Sequence, residues 1–257
     1  MVYSLIFNWE GHKIMNNNYF IKTNRIFTPL RKYAWIFTLI VAIGGLWYPK
    51  LGLLVFGVIL GLFITGILKG RYWCGNICPH GSLFDHVLLK ISSNAKFPKF
   101  FQSTGLKVAA FGFFAFSITR KIISATAYYN QAVFWDKLGF IFVTTYLMVL
   151  IVGVLFSFFI NSRTWCNFCP MGTLQTLSYK LGKLLKINRK TDQKVSITDT
   201  ALCHSCGKCS KVCPMQLSPY KEFNKNNQFD NDVCIQCSTC VENCPVKILS
   251  IDKVNRS

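Results

Sequence analysis

The sequence predicts an α-helical membrane protein: four transmembrane helices forming two hairpin repeats of parallel topology, followed by a small C-terminal α+β domain rich in cysteine. Three observations carry this prediction. The 257 residues are 51% hydrophobic and 15% aromatic, with a mean hydropathy of +0.33, too apolar for an ordinary soluble domain. Charged residues, 29 basic against 10 acidic for a formal +19, avoid the long apolar runs. Twelve cysteines fall into two quartets and two pairs, with none left over.

So apolar a chain buries enough surface to exclude disorder. A basic excess of this size suits nucleic acid, an anionic membrane surface or an acidic partner. Placement decides among them. Residues 33–68 and 139–160 contain only Lys50 among charged residues, so the bases crowd into the flanks, as in a membrane protein. Membrane lipid is the expected partner and nucleic acid is not.

Residues 1–32 form the first segment, expected on the cytoplasmic side. They lack the basic n-region and long apolar h-region of a secretory signal, because the short run 2–7 is followed by Asn8, Glu10 and His12. The segment is therefore expected to be retained, with Met15 as an alternative start. Lys13, Lys22, Arg25, Arg31 and Lys32 precede the first apolar run; no function is assigned to the segment.

The membrane domain is expected over 33–192. Runs 33–48 and 51–68 approach the ~17 to 25 residues that cross a hydrocarbon core, and the Trp47-Tyr48-Pro49-Lys50 turn between them makes a hairpin, since Pro49 and Gly52 would break one long helix. Run 139–160 is the clearest span. Run 106–119 is short, with Lys107 at its start and Arg120-Lys121 at its end; it is read as a span with snorkelling ends. With Lys50, Arg120, Lys121 and Lys137 on the outer turns, 25 of the 29 basic residues lie on the side of both termini. That side is then cytoplasmic, in a prokaryotic inner membrane. Trp47, Tyr48, Tyr128, Tyr129, Phe134 and Trp135 supply an outer aromatic belt.

The short run is called a span because the chain repeats. R-x-W-C-x3-C-P-x-G at 71–81 follows the second run, and R-x-W-C-x2-C-P-x-G at 163–172 follows the fourth. Two spans separate the motifs, which gives the repeats parallel topology and brings both cysteine pairs to the cytoplasmic face. Each motif leads into a stretch of helical periodicity: Leu83, Phe84, Val87, Leu88 and Ile91 in one, Leu174, Leu177, Leu181, Leu184 and Leu185 in the other. Lys90, Lys180, Lys183 and Lys186 lie on their polar sides, as in helices anchored on an anionic leaflet.

Residues 193–257 carry C-x2-C-x2-C-x3-C-P twice, at Cys203, Cys206, Cys209 and Cys213 and at Cys234, Cys237, Cys240 and Cys244. This is the spacing of bacterial two-cluster ferredoxins: three thiolates wrap one corner of a cubane and the fourth reaches the neighbouring cluster. Cys203, Cys206, Cys209 and Cys244 are assigned to one 4Fe-4S cluster, and Cys234, Cys237, Cys240 and Cys213 to the other. Zinc sites use pairs rather than triplets with a distant fourth ligand, and disulfides are disfavoured in a cytoplasm. Each oxidised cluster carries about −2, leaving a net charge of about +15.

The membrane-proximal pairs Cys74/Cys78 and Cys166/Cys169 are more ambiguous, between metal ligation and redox dithiols. A proline after the second cysteine sets each pair at a helix start, where free N–H groups favour an anion. Four thiolates from two repeats suffice for one additional iron–sulfur cluster on the pseudo-two-fold axis; two separate dithiols are the competing reading. Trp73 and Trp165 read as interface anchors rather than electron relays, and Arg71 and Arg163 could pair with a cluster or a lipid phosphate, although positive-inside placement already explains them. His80, Asp85 and His86 could accept protons at the membrane surface, or simply form a polar boundary. No flavin or nucleotide fingerprint is visible, and there is no C-x2-C-H haem motif.

On the two R-x-W-C-x2/3-C-P-x-G motifs and the cysteines from Cys203 to Cys244, the chain after residue 32 resembles the NapH/NosR-type membrane ferredoxins. These are 4Fe-4S electron-transfer proteins attached to nitrate and nitrous-oxide respiration and related systems. The resemblance implies a quinol-dehydrogenase type of electron-transfer subunit, with other redox subunits as partners and quinone as a candidate donor. This chain departs from larger members in lacking a flavin-binding domain, which counts against a NosR-like regulatory role. Its richness in Asn, Lys and Ile suggests a low-GC genome, where either menaquinone or no quinone at all is expected, so the partner stays open. Electron transfer competes with a redox-sensing or metalloenzyme-assembly role, and with a structural anchor for a soluble reductase.

Overall fold

A computed structural model describes residues 20–131 and 133–254. The retained N-terminus expected in place of a signal peptide, Lys13 and the alternative start at Met15 all fall on residues 1–19, outside the described part.

The described residues contain four helices long and apolar enough to cross a membrane: Pro29–Leu46, Pro49–Lys69, Thr104–Thr126 and Val133–Phe159. The first begins as α1 (Pro29–Ala42), where Thr28 accepts from the Arg31 N–H and Pro29 occupies the first turn, a position that wastes no hydrogen bond. A tight 3-10 turn at Pro49–Leu54 leads into α2 (Val55–Lys69). Gly70, at φ +66°, then stops α2 in a backbone conformation that other residues rarely adopt.

All four spans are longer than the expected runs; the first starts at Pro29, inside the expected N-terminal segment 1–32, and the last two differ most. Helix α5 (Thr104–Thr126) runs past Arg120-Lys121 to Thr126, because isolated long basic side chains do not end a helix when they can lie outward along it. Helix α6 (Val133–Phe159) starts six residues before the apolar run, with Asp136 and Lys137 in its opening turns. Exposed Val108, Phe113, Phe116 and Ile123 show that α5 faces outward along its length, whereas α6 is the packed centre of the bundle.

The membrane core gathers Val41, Ala42, Val55, Leu138, Phe142 and Tyr146. The turn 49–54 crosses α6 at backbone contact. A Cβ on Gly139 would run into the Pro49 carbonyl, and one on Gly52 into the Gly139 carbonyl. Such close approach is how helices pack where no hydrophobic force drives them together.

After the second and the fourth of these long helices comes a short helix carrying the first cysteine and then one starting at the proline. These are α3 (Tyr72–Asn76) and α4 (Pro79–Leu83) after the second, α7 (Thr164–Phe168) and α8 (Pro170–Leu184) after the fourth. Their apolar faces do not all turn inward. Leu83, Phe84 and Leu88 are buried, but Leu177, Leu181, Leu184 and Leu185 are exposed. Helix α8 instead packs its small and polar face on α2, with Gly66 against Ser178 and Gln175, and Gly182 against the Ile67 backbone. Lys180 and Lys183 reach Asp232 and Asp230 of the C-terminal domain at 3.9 Å each. They therefore face that domain's carboxylates, and not only a leaflet.

The C-terminal domain is a three-stranded antiparallel sheet of order β2-β1-β3, from β1 (Gln193–Ile197), β2 (Gln228–Phe229) and β3 (Leu249–Lys253). Val195 sits between Phe229 and Ile251. The short helices Lys208–Lys211 and Thr239–Glu242 carry Cys209 and Cys240.

Candidate metal centres

Two cavities in the C-terminal domain are lined by cysteine quartets. One is lined by Cys203, Cys206, Cys209 and Cys244, the other by Cys213, Cys234, Cys237 and Cys240. Both cysteine loops use the same backbone device: Ser205, Gly207 and Gln216 have positive φ in the first, and Gln236, Ser238 and Lys247 have it at the equivalent places in the second. Alternating right- and left-handed residues form concave nests of N–H groups that favour an anion. Burial is the main cause pushing the Cys213 thiol up to about 12 and Cys234 to about 11. They are neutral as free thiols, and bound iron would deprotonate them.

The structure brings Cys74, Cys78, Cys166 and Cys169 to one cavity of about 110 Å³. Burial likewise pushes Cys78 and Cys169 up to about 12. Cys74 donates to the Gln175 side-chain carbonyl at 2.8 Å, Arg163 donates to Cys166 Sγ at 3.4 Å, and the Gly81 N–H to Cys78 Sγ at 3.4 Å. Three buried donors around this cavity, Arg71 Nε, Trp73 Nε1 and Gln175 Nε2, have no protein acceptor. An iron–sulfur cluster, anionic and presenting sulfides that accept hydrogen bonds, fits four sulfurs ringed by spare donors and two guanidinium groups. Among the described residues, no three His, Cys, Asp or Glu side chains are arranged to hold a single metal ion.

The motif's arginine and glycine are explained by this geometry. Arg71 donates to the Cys166 carbonyl at 2.8 Å and lies over Gly172. Reciprocally, Arg163 donates to the Cys74 carbonyl at 3.3 Å and to the Gly81 carbonyl at 3.1 Å, and lies over Gly81. Each arginine thus occupies space that a side chain on the other repeat's glycine would fill. Both are buried, so positive-inside placement alone does not account for them. Trp73 and Trp165 also line the cavity, Trp73 packing on Gly61 of α2, rather than marking the aqueous boundary.

Asp85 lies outside the role of a solvated proton acceptor. It is buried and ion-paired to Arg31, to Arg163 at 2.6 Å and to Arg25 at 3.5 Å. His80 lines the four-cysteine cavity with its ring against Tyr146, and burial pushes its pKa down to about 4. It stands neutral near pH 7. His86 is half-buried and stacks on Trp35. The Arg25, Arg31 and Asp85 cluster was not legible in the sequence; its one signal is an acid, Asp85, isolated among bases.

Residues 195–245 match the family model of the 4Fe-4S dicluster domain, and residues 51–98 and 142–188 each match that of a 4Fe-4S binding domain. The chain is 27% identical over 154 residues to the methylamine utilization ferredoxin-type protein MauN of Methylobacillus flagellatus, covering 58% of this chain and 50% of that protein. The chain thus spans about half the length of this curated relative. No solved structure matches. These matches show ferredoxin-type 4Fe-4S domains.

Proposed function

We propose that the protein is a membrane-anchored electron carrier, passing single electrons between a membrane-side partner and its cytoplasmic ferredoxin domain as one subunit of a larger redox complex. The observation that carries this reading is the meeting of four cysteines, two from each motif, in one cavity whose wall is continuous with the ferredoxin core: Cys166 and Cys237 belong to one buried cluster, with Cys74 and Cys213 packed against it.

In this reading Cys203, Cys206, Cys209 and Cys244 hold one 4Fe-4S cluster, Cys213, Cys234, Cys237 and Cys240 a second, and Cys74, Cys78, Cys166 and Cys169 an additional iron–sulfur cluster. Each, when bound, supplies a reversible one-electron couple. Arg71 and Arg163 offset negative charge at the third, and Trp73, Phe84 and Trp165 exclude water. The cavity is also lined by Leu62 of α2, Phe114 and Ile118 of α5 and Val149 of α6. That lining suits a lipid-soluble donor of the quinol class. Likeness to a ferredoxin-type protein supports the carrier role; methylamine is not carried over with it. Both termini and the ferredoxin domain are assigned to the cytoplasmic side on the 25-to-4 charge split.

Iron content and electron paramagnetic resonance of the full-length protein test the reading. About twelve irons are expected if the third cluster is a cubane, falling in Cys74→Ser and Cys166→Ser. About eight irons, unchanged in both variants, would leave these four cysteines as dithiols. Cluster absorbance bleached by menaquinol would support the carrier role; clusters reducible by dithionite but inert to quinol would favour sensing or assembly.

A further inference from the structure

The two ferredoxin centres are not equivalent in their surroundings. The Ile235–Cys237 backbone lies directly on α3 of the membrane domain: a Cβ on Gly75 would run into the Ile235 carbonyl and come within 3.3 Å of the Cys237 N. Asn76 donates to the Gln236 carbonyl at 3.1 Å, and Gln236 Nε2 donates to the Lys69 carbonyl at 2.9 Å. Cys237 is buried, and Ile235 and Met215 pack with Phe84 and Leu88 of the first repeat. Around the other quartet, Cys206 is exposed, as are Leu202 and Val246.

We infer that the Cys213/Cys234/Cys237/Cys240 centre is the inner one, docked on the first cysteine pair's helix through Gly75, and that the Cys203/Cys206/Cys209/Cys244 centre is the outer one, facing soluble redox partners. This rests on the carrier reading above and gives it an order: membrane cavity, inner centre, outer centre. Passage between neighbours is a one-electron oxidation of one matched by a one-electron reduction of the next, with no bond made or broken. Gly75 and Asn76 are then positioning residues. Any side chain at 75 lifts the inner loop off the membrane domain and lengthens the electron's path.

The buried charge supports this order. Arg25, Arg31 and Arg163 surround the single carboxylate of Asp85, and Arg25 Nε and two nitrogens of Arg31 have no acceptor. Arg163 of this group reaches Cys166 Sγ at 3.4 Å, and Cys166 shares one buried cluster with Cys237. Anionic centres at both cysteines would balance the surplus. Nothing comparable is found at the outer quartet among the described residues.

The test uses the full-length reduced protein in lipid nanodiscs, with a water-soluble dysprosium chelate as relaxing agent. The two ferredoxin signals are assigned by their loss in Cys213→Ser and Cys203→Ser. The chelate should speed spin relaxation of the outer centre severalfold more than that of the inner one. Gly75→Ala should reduce the difference with iron content unchanged, and Gln236→Ala should do so more mildly, which guards against a misfolded glycine variant. Equal relaxation, the reverse order, or a difference untouched by both variants would overturn the inference. Because the chelate reads only the ferredoxin signals, an iron count of about eight would refute the third cluster and leave this test intact.

Discussion

Arg71 and Arg163 each donate to the backbone carbonyl of the first cysteine in the other's motif, Arg71 to Cys166 and Arg163 to Cys74. The exchange ties the two repeats together at the point where their cysteines meet. It also explains why arginine and glycine recur in both motifs around cysteines whose own spacing differs.

Among the described residues Asp85 is the single acid in that region, and it accepts from Arg163 through both oxygens, from Nε at 3.1 Å and from Nη2 at 2.6 Å. Removing one partner of a buried charge network typically costs about 3–5 kcal/mol. Asp85→Asn should therefore lower the unfolding temperature of the purified protein markedly, and Asp85→Glu less. An unchanged unfolding temperature for Asp85→Asn would mean that the arginines are compensated elsewhere.

Gly139→Ala should push α6 away from the Pro49 turn. Overpacking of this kind costs about 1–3 kcal/mol, and here the obstacle is backbone, which cannot rotate aside. Gly112→Ala, with open space around it, serves as control. Equal thermal stability of the two variants would contradict the close crossing.

Cys213→Ser should damage the centre lined by Cys234, Cys237 and Cys240, although Cys213 follows Cys209 in sequence, and Cys244→Ser the centre lined by Cys203, Cys206 and Cys209. Each is read as loss of one of two distinguishable paramagnetic signals and about four irons. Loss of the sequence-adjacent centre would refute the crossed arrangement, and zinc in place of iron after anaerobic reconstitution would refute both.

Reporter fusions after Gln102 should be cytoplasmic and those after Asn130 external. An external signal at Gln102 would invert the assigned sidedness. Equal signals at both would mean that α5, the most outward-facing span, does not cross.

The sequence by itself determined what depends on short range or on counting. Cubane ligation limits how far apart three thiolates can sit, so Cys203, Cys206 and Cys209 announce themselves. Hydrocarbon thickness limits how short a span can be, so the four spans do too, and the R-x-W-C motif recurs after the second and the fourth. Their ends were less legible, because Arg120, Lys121 and Asp136 look like boundaries yet lie within helices. Only the tertiary structure decided what depends on contacts between segments distant in sequence. It put Arg25, Arg31 and Arg163 on Asp85, and turned the leucines of α8 outward while its small residues packed on α2. It brought all four membrane-proximal cysteines to one cavity and seated the Cys237 loop on Gly75. A buried arginine and a snorkelling one read identically in a sequence, since the difference lies in which distant carboxylate or carbonyl the folded backbone brings within hydrogen-bonding reach.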